Sequence, residues 1–349
     1  CKMMGRSRLF FPLLGLAMLI SSARGALEIT PDMMRGRDFK PTIYGNYQGN
    51  NAGYLVSHAR AKQPNPPGLV RGVVEFAAHD FELTPAMIHA TNYGLANMVK
   101  AHMQVFGDRV SPGFRVRIRI FGNFEDYVAY SKVRYRKTVT KSLLGFFSGG
   151  SKEIVTWRQE RRLKWRLVPT LLHEGCHAIM HDMFGELPFW MVEGSADWLG
   201  EAPAWLQKAD GLRRDQLQRW INLDNMRRQG KLPALEDYLL TTDYGQWEKM
   251  FNSNIGRGYD VGWSIFDFFI VSSRRAKQNW PIQIMASAVQ EAKRRPGASD
   301  EVIFLRTLQA RWPKLTSRNL NGVKSFEFGW HNWIRLEADK ARQALAKQR

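Results

Sequence analysis

The feature that most constrains this chain is the pentapeptide His173-Glu174-Gly175-Cys176-His177, which lies within an apolar stretch. Leu171 and Leu172 precede it and Ala178-Ile179-Met180 follow, so the segment is predicted to be a helix packed against a core. Residues at positions i and i+4 share one face of a helix, which would place the two imidazoles side by side. Two such imidazoles can bind one Zn²⁺, and the adjacent carboxylate can act as a general base.

The same pattern also arises by chance, so the alternative is a buried helix that carries two histidines without a metal. The residues that follow argue against this alternative. Gly185 is predicted to cap the helix, and Pro188 to begin a second helix that contains Glu193 and Asp197. A short connection makes the two helices antiparallel neighbours, so Glu193 can complete a His₂Glu ligand set. Asp197 can then accept the second ring N–H of a ligand histidine.

Together, HEGCH and WMVEGSADW resemble the gluzincin branch of the zincin metallopeptidases, and more narrowly exported bacterial zincin-like proteins of undefined substrate. The resemblance covers about residues 170–199. It implies an α+β, zincin-like fold with a small mixed sheet and helices in the N-terminal half, a helical C-terminal half and the active-site helix between them. It also implies peptide-bond hydrolysis, with Zn²⁺ held by His173, His177 and Glu193 and with Glu174 as general base.

Two finer expectations depend on this resemblance. Many gluzincins carry a tyrosine downstream of the third ligand, whose hydroxyl donates to the oxyanion of the tetrahedral intermediate. Tyr259 matches that placement, and the alternative is a tyrosine that only packs. In zincins a peptide can pair with an exposed strand edge beside the active-site helix. Ser148 to Trp157 is the candidate for that edge, with an ordinary sheet strand as the alternative. The metzincin branch does not fit, because it has Gly and His where this chain has Met180 and Met183.

The first 25 residues have the pattern of a secretory signal peptide. Lys2, Arg6 and Arg8 form a basic start, and Leu9 to Ile20 is an apolar run too short to span a bilayer comfortably. Ala23-Arg24-Gly25 offers small residues at the expected cleavage positions. We therefore expect export to the periplasm, the cell envelope or the medium. The alternative is an uncleaved N-terminal membrane anchor.

The chain is strongly basic, with 51 Lys and Arg residues against 32 Asp and Glu and a formal net charge of +19. Its basic clusters are scattered, and no zinc-finger, RRM or KH signature accompanies them, so no specific nucleic-acid partner is expected. Besides a peptide or protein substrate, the charge favours an anionic envelope surface as a partner, with a merely solvated basic surface as the alternative. We expect a monomer.

Along Phe114 to Phe121, three arginines alternate with apolar residues, and solvent exposure is the favoured interpretation of this arginine face.

The whole chain is predicted to divide into four segments. They are the signal peptide 1–25, an irregular lead-in 26–69, an α/β half 70–200 with both motif helices, and a helical half 201–349. In the last segment Arg213 to Arg228 is amphipathic and is expected to pack on the domain, with a membrane-surface role as the alternative. Trp330 to Leu336 is expected to be a short final helix. A second class of function stays open, in which a zincin-fold envelope-binding or scaffold protein performs no catalysis.

Overall fold

The computed structural model describes residues 42–44, 73–106, 111, 114–159, 166–185, 187–201, 210–275 and 280–347. The predicted signal peptide lies outside these residues, and so does the lead-in 26–69 apart from its residues 42–44. Among the described helices, none combines the length and the apolar character that a membrane crossing requires.

A five-stranded mixed sheet forms the N-terminal part, in the order β1-β2-β3-β5-β4. Its strands are β1 (Thr42–Tyr44), β2 (Val73–His79), β3 (Arg115–Phe121), β4 (Gly145–Ser148) and β5 (Glu153–Trp157). Strands β2, β3 and β5 are mutually parallel, and β1 and β4 pair antiparallel at the two sides. In β3, Val116, Ile118 and Ile120 are fully buried on one face, as the alternation of the sequence predicts.

Four helices accompany the sheet in the described part of this half. They are α1 (Pro85–Phe106), α2 (Phe124–Tyr135), α3 (Leu167–Phe184) and α4 (Phe189–Glu201). Helix α3 carries the His173–His177 motif and α4 carries Glu193 and Asp197. Gly185 ends α3 with a φ of 76°, and its N–H donates to the His181 carbonyl, so the predicted cap is confirmed.

The C-terminal half is helical, as predicted. Its helices are α5 (Asp210–Arg228), α6 (Leu235–Leu239), α7 (Tyr244–Met250), α8 (Gly256–Arg275), α9 (Trp280–Arg294), α10 (Asp300–Arg311) and α11 (Gly322–Ala346), with a 3₁₀ turn at Thr316–Arg318. The prediction of a short last helix at Trp330 to Leu336 is wrong, because α11 has 25 residues. Buried Val323 and Phe326 before that segment, and Ala338 and Ala341 after it, continue its apolar face in both directions.

The position of β5 corrects the prediction that Ser148 to Trp157 forms an exposed edge. Strand β5 lies between β3 and β4 and is buried along its whole length. The edge on this side is β4, whose residue Ser148 pairs with Glu153. The segment contains Gly145, Gly149 and Gly150, a glycine-rich composition that is typical of a loop. The reversal needs only the turn at residues 149–152, so the residues before it are free to pair as a strand.

The arginine face of β3 is only in part the solvated surface that the sequence favoured, because Arg115 is exposed, Arg117 is half-buried and Arg119 is buried. The parallel register places Arg117 between Glu75 and Glu153. Arg117 donates to Glu75, and Nε of buried Arg119 donates to Glu153 at 2.8 Å. The Tyr130 hydroxyl of α2 donates to the other oxygen of Glu153 at 2.8 Å. Carboxylates on both neighbouring strands therefore neutralise Arg117 and Arg119 in the layer beneath α2.

One apolar core connects the sheet, α3 and α4 with the C-terminal helices. Trp190 of α4 is fully buried, and its ring centroid lies 4.9 Å from that of Phe304 in α10. Helices α4 and α8 approach closely at Gly194 and Gly262. A Cβ added at Gly194 would lie 2.5 Å from the carbonyl carbon and oxygen of Gly262. This contact brings the beginning of α8, with Tyr259, against the helix that carries Glu193.

Candidate metal centre

Three side chains from the two motif helices converge on one point. Nε2 of His173 lies 3.0 Å from Nε2 of His177, across one turn of α3. Oε2 of Glu193, from α4, lies 3.5 Å from the first of these nitrogens and 3.6 Å from the second. Within the described residues, this trio is the group of His, Cys, Asp and Glu side chains placed to hold a metal ion.

The separations fit a tetrahedral zinc site. Zinc bonds to His nitrogen and carboxylate oxygen are close to 2 Å long, so neighbouring ligand atoms of a tetrahedral site lie about 3.3 Å apart. The observed 3.0 to 3.6 Å brackets that value. Oε2 of Glu193 is buried and accepts no hydrogen bond from the described residues. A buried carboxylate oxygen that faces two imidazole nitrogens and accepts no hydrogen bond has the chemistry that a divalent cation would require of its ligands.

Asp197 lies where the sequence predicted a partner for a ligand histidine. Its Oδ1 is 2.8 Å from Nδ1 of His173, one helical turn beyond Glu193. A carboxylate at Nδ1 holds the proton on that nitrogen and leaves the Nε2 lone pair for a metal. Burial by itself would lower the pKa of His173, but the neighbouring carboxylates of Asp197 and Glu193 outweigh burial and raise the pKa well above its usual value. The same negative charges would attract a divalent cation to Nε2, where the cation would compete with the second ring proton of His173.

Glu174 occupies the position of the proposed general base. It is buried on α3 directly after His173, with 8 % of its surface exposed. Burial lowers the pKa of His173 and raises that of Tyr259, and the nearby charge of Glu174 is a smaller contribution that raises both pKa values. Glu174 thus lies beside the ligand cluster without being one of the three converging groups.

Tyr259 lies near the cluster, with its ring centroid 6.2 Å from that of His173. Its hydroxyl donates to the hydroxyl of Tyr244 at 2.9 Å, and Tyr244 donates to Oε1 of Glu193 at 2.7 Å. Burial, and then the Glu193 charge, raise the pKa values of both tyrosines well above the usual range, so both keep their protons at neutral pH. Sequence reasoning missed Tyr244, which stands at the start of a separate short helix, α7.

Sequence reasoning also missed Arg219, which lies on α5 behind Asp197. Its NH1 is 3.2 Å from Oδ2 of Asp197, and its NH2 is 3.1 Å from Glu201. Its Nε lies 3.4 Å from Asp215 and 3.5 Å from Asp260. The only sequence signal was the i, i+4 spacing of Asp215 and Arg219, because α5 otherwise matched an ordinary amphipathic helix. One guanidinium therefore faces a partly buried acidic cluster that includes the partner of His173.

Two other side chains of α3 that could in principle bind a metal, those of His181 and Cys176, lie apart from the cluster. His181 is exposed and stacks edge-on against Phe147 of β4, with ring centroids 5.9 Å apart. Cys176 is a free, fully buried thiol, and burial raises its pKa far above the usual value. Its sulfur lies 4.0 Å from Nε2 of His102, whose Nδ1 faces the Met98 carbonyl. Cys176 therefore faces away from the proposed ligands and is a packing residue.

No protein-family model matches this chain, and a search of curated proteins finds no match either. The gluzincin resemblance is thus carried by the two motifs between residues 170 and 199. The function has to be inferred from those residues and from the geometry that the fold gives them.

Proposed function

We propose that this protein is an exported zinc-dependent peptidase of the gluzincin type. The observation that carries the proposal is the convergence of Nε2 of His173, Nε2 of His177 and Oε2 of Glu193 within 3.0 to 3.6 Å of one another. The mixed α+β fold supports it, because both motif helices pack as antiparallel neighbours on one core. The finer zincin-like assignment of the fold belongs to the same proposal.

When bound, zinc supplies Lewis acidity, which polarises a carbonyl and brings the pKa of water near 7. Glu174 takes the proton from the attacking water as the new C–O bond forms on the peptide carbonyl carbon. It then delivers that proton to the departing amine nitrogen as the C–N bond breaks. Asp197 keeps the proton of His173 on Nδ1, so that the Nε2 lone pair would be available to hold the zinc.

Tyr259 is the proposed donor to the developing oxyanion of the substrate. Its position beside His173 supports this role. Its single proton is donated to Tyr244, so the role requires that hydrogen bond to be exchanged for one to the substrate. A hydroxyl that is already desolvated and neutral can make this exchange at little cost.

The deciding experiment is peptide-library profiling of zinc-loaded wild type, Glu174→Gln and Glu125→Gln, since Glu125 is an exposed carboxylate on α2. We expect cleavage by wild type and by the exposed control, and loss of at least a hundredfold in kcat for Glu174→Gln with zinc retained. Full activity of Glu174→Gln would remove the mechanism. A wild type that binds zinc but cleaves nothing would favour the non-catalytic envelope-binding or scaffold protein.

Export is the part of the proposal that rests on residues 1–25 alone. The basic start, the short apolar run and the small residues near position 25 support it. N-terminal sequencing of the protein recovered from a bacterial host should find a chain that begins close to residue 26. An intact N-terminus in the membrane fraction would instead support the anchor.

The charge of +19 supports an anionic envelope surface as a partner. Binding to anionic vesicles, measured at increasing salt, would test this proposal.

A further inference from the structure

The two oxygens of Glu193 have different surroundings. Oε2 faces the imidazole nitrogens of His173 and His177 and accepts no hydrogen bond from the described residues. Oε1 points the other way and accepts the hydroxyl proton of Tyr244 at 2.7 Å. The carboxylate is 2 % exposed, so water does not compete for either oxygen. One oxygen is therefore held by the protein, and the other is available to a metal.

The direction of the hydrogen bonds follows from which groups carry protons. An ionised carboxylate only accepts, so the single proton of Tyr244 must lie toward Glu193. The 2.9 Å contact between Tyr244 and Tyr259 then requires Tyr259 to be the donor. The result is a directed chain from Tyr259 through Tyr244 to Oε1 of Glu193. Each proton strengthens the next bond, because a hydroxyl that accepts becomes a better donor.

The ring of Tyr244 is held in place by its neighbours. Asp243 caps α7 by accepting the Gln246 N–H, which fixes the first residue of that helix. The Tyr244 ring meets Phe189 edge-on, with centroids 4.9 Å apart, and lies 6.0 Å from the fully buried Trp247. These contacts pre-set the hydroxyl toward Glu193. A carboxylate between a fixed donor and an open ligand position has one favoured rotation.

We propose that Tyr244 is a positioning residue that makes Glu193 a ligand through one oxygen, and that Tyr259 acts on the metal centre through Tyr244. This inference rests on the proposed function, because it requires a metal at His173, His177 and Glu193. Without the Tyr244 hydroxyl, Oε1 loses its donor and the carboxylate can rotate to offer both oxygens. The coordination number and the affinity for the metal then change together.

The first test is zinc affinity, measured by chelator competition on purified wild type, Tyr244→Phe, Tyr259→Phe and Tyr238→Phe. Tyr238 is the matched control, since its buried hydroxyl donates to the Gly258 carbonyl at 2.7 Å and not to Glu193. We expect Tyr244→Phe to bind zinc about 10- to 100-fold more weakly, as is usual when the partner of a ligand is lost. Tyr259→Phe should weaken binding less, and Tyr238→Phe should bind as wild type does. Circular dichroism of the metal-free proteins checks that each variant is folded.

The second test replaces zinc with Co²⁺, whose visible absorption is strong in four-coordinate sites and weaker in five-coordinate ones. We expect an intense spectrum for wild type and Tyr238→Phe, and a weaker, shifted spectrum for Tyr244→Phe. A Tyr244→Phe variant with wild-type affinity and a wild-type spectrum would overturn the inference while leaving the proposed function standing. Equal losses in Tyr244→Phe and Tyr238→Phe would also overturn it, because they would mark a general packing effect. A wild type that binds neither metal would remove the proposed function and this inference together.

Discussion

The guanidinium of Arg219 donates to Oδ2 of Asp197 at 3.2 Å, while Oδ1 of the same carboxylate lies 2.8 Å from Nδ1 of His173. Arg219 of α5 thus holds the carboxylate of Asp197 on α4, and that carboxylate in turn holds the ring of His173 on α3. Burial opposes ionisation of Asp197, but the Arg219 charge and the bond to His173 prevail and lower its pKa. The orientation of His173 therefore depends on a residue from the helical half of the chain.

Arg219→Met should destabilise the protein, because it leaves buried Glu201 and the partly buried Asp197 and Asp260 without their shared cation. Removing one partner of a buried ion pair typically costs about 3–5 kcal/mol. Arg213→Met is the matched control, since Arg213 is exposed on the same helix. Urea unfolding of the metal-free proteins measures the difference. A free energy of unfolding for Arg219→Met equal to that of Arg213→Met would show that the cluster contributes nothing.

Asp260 should make folding stability fall as the pH rises. Burial raises its pKa to about 7, although the Arg219 charge opposes that shift. The folded protein thus keeps a proton that the unfolded chain releases near pH 4, so this stabilisation is complete below about pH 4 and is lost as the pH rises through about 7. Asp260→Asn cannot lose that proton. The free energy of unfolding of Asp260→Asn should therefore rise relative to that of wild type from about pH 4 to about pH 7, by at most roughly 4 kcal/mol, and the difference should be constant above about pH 8.

The control for this titration is Asp237→Asn, because Asp237 is exposed at the start of α6. Its free energy of unfolding should follow that of wild type across the same pH range. A constant difference between Asp260→Asn and wild type at every pH would contradict the assigned titration of Asp260.

Gly194→Ala should destabilise the crossing of α4 and α8. The added methyl would lie 2.5 Å from backbone atoms of Gly262, and backbone cannot move aside as a flexible side chain can. Overpacking of this kind costs about 1–3 kcal/mol, and here it also displaces Glu193 or Tyr259. Gly150→Ala is the control, because a Cβ there meets nothing within 4 Å. Thermal unfolding and zinc affinity of both variants provide the comparison, and a Gly194→Ala protein that matches Gly150→Ala in both would disprove the tight contact.

The sequence was informative wherever the relevant contact is local. The i, i+4 spacing of His173 and His177, the cap at Gly185 and the short connection to α4 are all set within about 30 residues. Helix period and capping rules therefore predicted both motif helices and their antiparallel packing. The alternation in β3 predicted its buried face in the same way.

Contacts between distant segments left no such pattern. Tyr244 reaches Glu193 from 51 residues away, and no spacing rule connects a tyrosine at the start of α7 with a carboxylate on α4. Arg119 illustrates the opposite error, since an arginine in a strand suggests solvent until Glu153 on the neighbouring strand is seen beside it. In both cases the partner is chosen by tertiary packing, which local propensity does not encode.

The convergence of His173, His177 and Glu193 is tested most directly by titrating the metal-free protein with zinc and counting bound ions per chain. We expect one tightly bound zinc in wild type, and loss of that binding in His177→Ala and in Glu193→Ala, with both variants folded by circular dichroism. A wild type that takes up no zinc, or a Glu193→Ala protein that binds it as tightly as wild type, would contradict a metal centre built from these three side chains.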